Sequence, residues 1–215
     1  MAPAKGVIHM SNIIHPFEAP AGDGMENDVI EAILTRHSVS PKRVAKPGPT
    51  RAQVKTLMAT AAAAPDHGKL RPWRFIEFPE SSRTALADVF ETALRERLPN
   101  ADSEALSRAR DKASRAPLLL GLVLRLNRTA DVPHVDDQLA SGGAALQNVL
   151  LAAHAMGFGA RALSGQAVRT QAFRNALKLD DDETFLCFIA IGTPTSAPRR
   201  NARPAPESLL SQWTG

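Results

Sequence analysis

Three short segments of the chain carry residue types that suit an anionic or aromatic ligand. The first is Arg36-His37-Ser38, which places a guanidinium, an imidazole and a hydroxyl in succession where a helix is predicted to end. The planar fork of arginine donors fits phosphate oxygens, and a serine hydroxyl adds a further donor. Taken alone, the segment is explained better by an arginine that interacts favourably with the carboxyl end of the helix dipole.

The other two segments suit a flat ring or a close backbone approach. Ala64-Pro65-Asp66-His67, followed by Arg71-Pro72-Trp73, places an imidazole and an indole in a loop between a helix and a strand. An ordinary proline-rich connection has the same composition. Gly157-Phe158-Gly159, with Ser164-Gly165 beyond it, allows a backbone to approach a neighbour closely. A helix C-cap explains the first of these glycines equally well.

Signatures of protein-based catalysis and of metal binding are absent from the sequence. It has no phosphate-binding P-loop, no dinucleotide fingerprint after a strand, no zinc-protease motif and no nucleophile elbow. Cys187 lies in an apolar strand, which predicts a buried and inert thiol. The run Asp180–Glu183 lacks the ligand spacing of a calcium loop and predicts a solvated turn. His134 with Asp136-Asp137 predicts a helix N-terminus rather than a metal site.

The elements that must position these segments are predicted from hydrophobic spacing and from capping residues. A helix is predicted over about 26–36, and a capping box at Thr50 and Gln53 begins another that stops before Pro65. A short strand follows from Arg74 to Phe78. Further helices are predicted over 82–97, 102–114, 133–156 and 168–177, and further strands over 118–126, 158–163 and 185–191. This interspersion, without repeats, predicts an α/β or α+β domain.

The composition limits the number of domains, the cellular location and the disulfide content that we expect for this protein. The chain has 215 residues, 26 Lys+Arg, 22 Asp+Glu and one cysteine, which predicts one large domain or a tight pair of domains. Its longest apolar run, 117–124, is far shorter than the ~20 residues of a membrane-spanning helix. The single cysteine and the absence of a signal-like N-terminus predict a cytoplasmic protein without internal disulfides. Residues 1–24 are predicted to be an irregular arm.

In chain order, the motifs are similar to those of a known family. The three segments, followed by Gly192-Thr193-Pro194, resemble the nitroreductase family of flavin enzymes, and are closest to its small NAD(P)H nitroreductases that carry Ala-Pro-Asp-His. The resemblance covers about residues 28–196. It implies an α+β fold, with a central, mostly antiparallel sheet flanked by helices, in an intertwined homodimer. Residues 25–215 would form a single domain, and FMN would lie at the interface of two subunits.

The resemblance assigns four residues to the phosphate end of FMN. Arg36, His37 and Ser38 correspond to the family segment that holds the phosphate and the ribityl chain. Relatives often supply another basic residue after Gly-Thr-Pro, and Arg200 is the preferred candidate among three nearby arginines.

The resemblance also assigns residues to the flavin ring. His67 corresponds to a histidine that approaches the flavin from the other subunit, and Ala162, Leu163 and Ser164 correspond to the stretch that lines the isoalloxazine. The closest relatives have Trp-Arg-Ser at that stretch, so one cationic contact is unaccounted for, with Arg161 as a candidate replacement.

Two further observations bear on substrate preference and on assembly. Many wider relatives have Asn and Gln where this chain has Lys69 and Arg71, which changes the hydrogen bonds expected at the ring edge. The small residues at 142–145 of the long predicted helix permit close helix approach. Such an approach fits a dimer interface and intramolecular packing equally well.

The implied activity is an FMN-dependent oxidoreductase with no catalytic protein residue and no metal. A hydride would pass from NAD(P)H to flavin N5, and then to a nitro-aromatic, a quinone or another small conjugated acceptor. One alternative is a specialised flavin-fold enzyme that destroys flavin or removes halogens. Another is a non-catalytic basic binding protein, suggested by the sequence pI of about 9.6. Scattered arginines without a basic stripe disfavour nucleic acid as its partner, and no membrane partner is predicted.

Overall fold

In a computed structural model of the chain, residues 28–129, 131–197 and 202–215 are described. Residues 28–197 lie in one compact unit, and residues 202–215 belong to a second unit. The predicted arm, residues 1–24, and the predicted phosphate contact Arg200 lie outside the described residues. The assignment of 25–215 to a single domain stays a prediction.

The predicted helices are present, with small shifts at their ends. The Thr50 capping box is confirmed, because the Thr50 hydroxyl accepts from the Gln53 amide and the Thr50 amide donates to Gln53 Oε1 at 2.8 Å. None of the described helices is apolar over enough of its length to cross a bilayer. The six α-helices of the described residues are α1 (Asp28–Thr35), α2 (Arg51–Ala62), α3 (Arg83–Arg97), α4 (Ser103–Arg110), α5 (Val135–Ala155) and α6 (Gln171–Ala176).

In the described part of the chain, five strands form one sheet, and neighbouring strands pair antiparallel. They are β1 (Val44–Ala45), β2 (Trp73–Glu77), β3 (Leu118–Arg125), β4 (Gly159–Leu163) and β5 (Glu183–Pro194). The order is β1–β5–β3–β2, and β4 also pairs with β5. This arrangement confirms the predicted α+β class with a central antiparallel sheet.

Apolar side chains pack against both faces of the sheet, so β3 is buried on both of its sides. Leu120 and Leu122 pack with residues of α2 and α5, whereas Leu119 and Val123 pack with residues of α3 and α6. A strand buried on both faces reads as a continuous apolar run, as predicted for this segment. On the second face, Gly121 leaves room for the ring of Phe185, because a Cβ there would lie 2.5 Å from Phe185 Cε2.

The small residues of α5 divide between the core and the surface. Gly142 faces the sheet, and a Cβ at this position would lie 2.5 Å from Leu124 Cδ2. Its neighbour Gly143 is exposed, with nothing within 4 Å of where its Cβ would be. Leu139, one helical turn earlier on the same face, is also exposed. Intramolecular packing therefore accounts for Gly142 but leaves Gly143 unexplained.

The described residues of the second unit form a short helical turn and an extended tail. A 3₁₀ turn spans Pro206–Leu209, and the residues after it have no regular structure. Leu209, Leu210 and Trp213 are almost fully exposed, at 75%, 81% and 94%.

Candidate functional site

The structure brings the first and third sequence segments together. Ser38 follows the end of α1 and forms a parallel bridge with Ala160 in β4. The amide of Val39 donates to the carbonyl oxygen of Ala160 at 3.1 Å. Arg36, His37 and Ser38 therefore lie between the end of α1 and the start of β4.

Gly159 allows this close approach. A Cβ at Gly159 would lie 3.0 Å from Val39 Cβ, which is tighter than ordinary side-chain contact. Gly157 has a φ of +82° directly after Met156, the C-cap residue of α5, and provides the left-handed residue with which helices commonly end. Gly159 thus allows β4 to lie against the segment at Ser38 and Val39, and Gly157 allows the chain to turn from α5 toward β4.

The donor set of this segment fits an anion. His37 Nδ1 is buried and has no hydrogen-bond partner among the residues that the structure describes. A buried polar nitrogen without a partner is costly, so the observation points to a ligand that completes the site. The adjacent Arg36 and Ser38 add a guanidinium and an exposed hydroxyl. These chemical types suit a phosphate group.

His154, near the end of α5, also lies beside the segment 36–38, and the sequence did not predict this. Its Nε2 lies 2.9 Å from Thr35 Oγ1, directly before Arg36. Burial and then the positive charges of Arg36 and His37 lower the pKa of His154. In the sequence, His154 shows only that a histidine occupies the last turn of a predicted helix, which the helix dipole explains by itself.

The second segment forms a rigid turn with three left-handed residues. Asp66 Oδ2 accepts from the amide of Arg71 at 2.6 Å, which closes the turn. Within it, Gly68 has a φ of 77°, Lys69 of 55° and Arg71 of 48°. Left-handed conformations in residues other than glycine are costly and persist where the surrounding structure imposes them. Lys69 and Arg71 are thereby held in fixed positions with exposed side chains.

His67 of this turn lies away from Arg36, His37 and Ser38 within one chain. Its Nδ1 is 3.3 Å from Asp137 Oδ2 in the first turn of α5, and its side chain is 72% exposed. His154 lies near the opposite end of α5, 17 residues later. At about 1.5 Å per helical residue, the two ends are about 26 Å apart. Within one chain, His67 and the segment 36–38 therefore lie in separate regions.

The remaining predicted ring contacts lie in and after β4, but not on one face. Ala162 packs beside the α2–α5 side of the core and Leu163 beside the α3–α6 side. Their side chains point to opposite faces of the sheet, as alternation along a strand requires. Ser164 is exposed after the strand, and Arg161 is exposed within it.

Cys187 and the acidic residues at the start of α5 occupy the structural positions that the sequence predicts. Cys187 is buried, as predicted, and burial raises the pKa of its thiol to about 11, so the thiol is protonated at neutral pH. His134 caps α5, and Asp136 and Asp137 lie in its first turn, as predicted. Among the described residues, no group of histidine, cysteine or acidic side chains is arranged to hold a metal ion.

The prediction of a solvated turn over Asp180–Glu183 is wrong for its last residue. Only 1% of the Glu183 side chain is exposed, and its two carboxylate oxygens accept from Arg74 Nε and Nη2 at 2.7 and 2.8 Å. Arg125, the cross-strand partner of Glu183 in β3, lies 3.3 Å away. Glu183 begins β5 and is buried because arginines of β2 and β3 converge on it.

The architecture is that of nitroreductase-like proteins. The structure is similar to that of the nitroreductase-like family protein from Bacillus cereus, with a TM-score of 0.75 and 19% identity, covering 90% of this chain and 100% of that one. It is also similar to a Desulfovibrio desulfuricans protein described as "a putative nitroreductase in complex with FMN". That comparison has a TM-score of 0.67 and 26% identity, covering 89% of this chain and 100% of the other.

The sequence comparisons specify the family. A family model described as the nitroreductase family matches residues 33–193. A Haemophilus influenzae protein named "Putative NAD(P)H nitroreductase" is 32% identical over 177 residues, which covers 82% of this chain and 94% of that protein. The chain belongs to the nitroreductase family, as its ordered motifs predict.

Proposed function

We propose that the protein is an FMN-dependent oxidoreductase that uses NAD(P)H to reduce nitro-aromatic, quinone or similar conjugated acceptors. Family membership supports this proposal, together with a relative named for NAD(P)H nitroreductase activity and another solved with FMN. When bound, FMN would supply the redox chemistry, and the protein would bind and orient it. The reduced, buried Cys187 is compatible with the cytoplasmic location that composition predicts.

The observation that carries the proposal is the buried, unpartnered Nδ1 of His37 between Arg36 and Ser38. In this arrangement Arg36 would neutralise the phosphate of FMN through its planar donors, and Ser38 would add a hydroxyl donor. The bridge between Ser38 and Ala160 fixes the backbone that carries this hydroxyl before any ligand arrives. A site organised in advance loses less conformational freedom on binding.

We further propose a homodimer in which the partial sites of two protomers combine. Arg36, His37 and Ser38 of one protomer would face the same FMN as the partner's His67. The separation of about 26 Å along α5 supports this, because a small cofactor that contacts both regions within one chain would have to span it. Assembly with a second copy would unite the two regions without deforming either.

Exposed apolar residues on two helices also support the dimer. Val29 and Ile33 of α1 are 66% and 42% exposed. Leu139 of α5 is 40% exposed, next to the open position of Gly143. Large exposed apolar side chains of this kind can be buried at an interface between subunits. An obligate interface of this kind typically buries more than about 2,000 Å².

We expect light scattering at micromolar concentration to give twice the chain mass of 23.1 kDa. Leu139→Glu should shift the protein toward monomer, because it introduces a charge into an apolar interface. Leu98→Glu is the matched control, since Leu98 is an equally large exposed leucine after α3. A wild-type mass near 23.1 kDa would contradict the dimer.

The function itself is tested by cofactor content and turnover. Purified protein should absorb as a bound flavin and release FMN on denaturation. It should then oxidise NADH or NADPH when a quinone or a nitro-aromatic compound is added. A protein that stays colourless and binds no added FMN would refute the proposal.

A further inference from the structure

The segment that holds the predicted phosphate contacts is fixed at both ends by one neighbouring stretch of chain. At one end, Thr35 is hydrogen-bonded to His154 in the last turn of α5. At the other end, Val39 is hydrogen-bonded to Ala160 in β4. The intervening residues, 36–38, are therefore held between two contacts from residues 154–160.

The hydrogen bonds of Thr35 indicate which ring nitrogen of neutral His154 carries the hydrogen. The Thr35 hydroxyl lies 2.7 Å from the carbonyl oxygen of Glu31, to which it donates its one proton. Thr35 Oγ1 can then act only as an acceptor toward the imidazole, so His154 Nε2 carries a hydrogen and donates it. Nδ1 is the nitrogen that remains to accept a proton.

The surroundings of His154 disfavour its cationic form. Desolvation lowers its pKa most, followed by the positive charges of Arg36 and His37, which come after α1. Helix α2 and strands β3 and β4 also pack against α5. Among the described residues they place no charged group that acts on His154. The charged groups that act on His154 therefore disfavour its cationic form.

We propose that His154 is a positioning residue of the phosphate segment and that it takes up a proton when a phosphate dianion binds there. The identification of that phosphate with FMN rests on the proposed function. A dianion beside Arg36 and His37 offsets the electrostatic effect of these two residues, which disfavours the imidazolium of His154. The position of His154 in the last turn of α5 then favours the cation through the helix dipole.

Calorimetric titration of the apo-protein with FMN, in buffers of different ionisation enthalpy at pH 7, measures the protons taken up. His154→Gln is the main variant, because its side-chain amide can still donate to Thr35 but cannot titrate. We expect wild type to take up on the order of 0.3 proton more per FMN than the variant. Its FMN affinity should fall by less than about threefold, since the positioning hydrogen bond is kept.

Three controls distinguish the effect of proton uptake by His154 from the effect of its contact with Thr35. His154→Leu removes both the donor and the titration, so FMN affinity should fall about five- to tenfold. His134→Gln, at the other end of α5, removes a histidine away from the segment and should leave the proton count unchanged. Riboflavin, which has no phosphate, should show no difference in proton uptake between wild type and His154→Gln. Equal proton counts for FMN in these two proteins would overturn the inference.

A protein that binds no FMN would refute the proposed function without deciding the role of His154. Inorganic phosphate then serves as the probe, and NMR follows the imidazole signal of His154 from pH 5 to 8. We expect phosphate to raise the pKa of His154 in wild type. An unchanged His154 titration at saturating phosphate would overturn the inference.

Discussion

Replacing Arg36 with alanine is expected to weaken FMN binding by about ten- to a hundredfold. A hydrogen bond to a charged group contributes about 1.5–3 kcal/mol, and each 1.4 kcal/mol corresponds to a factor of about ten in affinity. Arg36 lies beside the unpartnered His37 nitrogen and the fixed Ser38, where the phosphate is proposed to bind. The loss should appear in a fluorescence titration of apo-protein with FMN.

The specificity of this loss for phosphate can be measured directly. Riboflavin affinity should change much less than FMN affinity, because riboflavin lacks the group that Arg36 binds. Arg36→Lys should restore part of the affinity, since it keeps the charge but not the planar fork of donors. Arg108→Ala removes an exposed arginine of α4, which belongs to no part of the proposed site, and is the matched control. The assignment would be wrong if Arg36→Ala left FMN affinity within twofold of wild type.

The sequence predicts those parts of the fold whose structure depends on residues close together in the chain. The Thr50 capping box needs only residues three positions apart, and β3 follows from one uninterrupted apolar run. Strand β1 could not be predicted, because its two residues are extended only through pairing with Thr193 and Pro194 of β5. The start of α6 was misplaced because a 3₁₀ turn precedes its N-cap, Thr170.

The sequence predicts the separate segments of the candidate site but not how these segments lie relative to one another in the structure. Arg36 and His67 stand out by residue type, whereas the contact between Ser38 and Ala160 joins positions 122 residues apart. His154 gave no distinctive signal, because its role depends on a tertiary contact with Thr35. The misassigned Glu183 has the same cause, since its burial depends on arginines of two other strands.

Replacing Glu183 with alanine is expected to lower the free energy of unfolding by about 3 kcal/mol. Breaking a buried ion pair typically costs about 3–5 kcal/mol, and the lower end applies because Arg74 and Arg125 are partly exposed and can regain hydration. Urea unfolding measures the loss. Glu104→Ala is the matched control, because Glu104 pairs with Arg108 on the surface of α4 and should contribute less than about 1 kcal/mol.

The contribution of Glu183 should also depend on pH. Hydrogen bonding to Arg74 lowers the pKa of Glu183 below its ordinary value of 4.5. A depressed carboxyl pKa stabilises the folded state above the unfolded pKa, and this stability is lost as pH falls through the folded pKa. Wild type should therefore lose stability below about pH 4.5, while Glu183→Gln lacks this component. A Glu183→Ala protein within 1 kcal/mol of wild type at pH 7 would contradict the prediction.

The Glu183 and Arg36 variants should affect different properties, because β5 separates the two sites. Glu183 begins β5, and Gly192 near its other end pairs with Gly159 at the start of β4. Nine residues of strand, at about 3.3 Å each, place these positions about 30 Å apart. Folded Glu183→Ala protein should therefore keep its FMN affinity, whereas folded Arg36→Ala protein should lose it. Effects at sites this distant are normally independent, so a large loss of FMN affinity in folded Glu183→Ala protein would indicate coupling through the sheet.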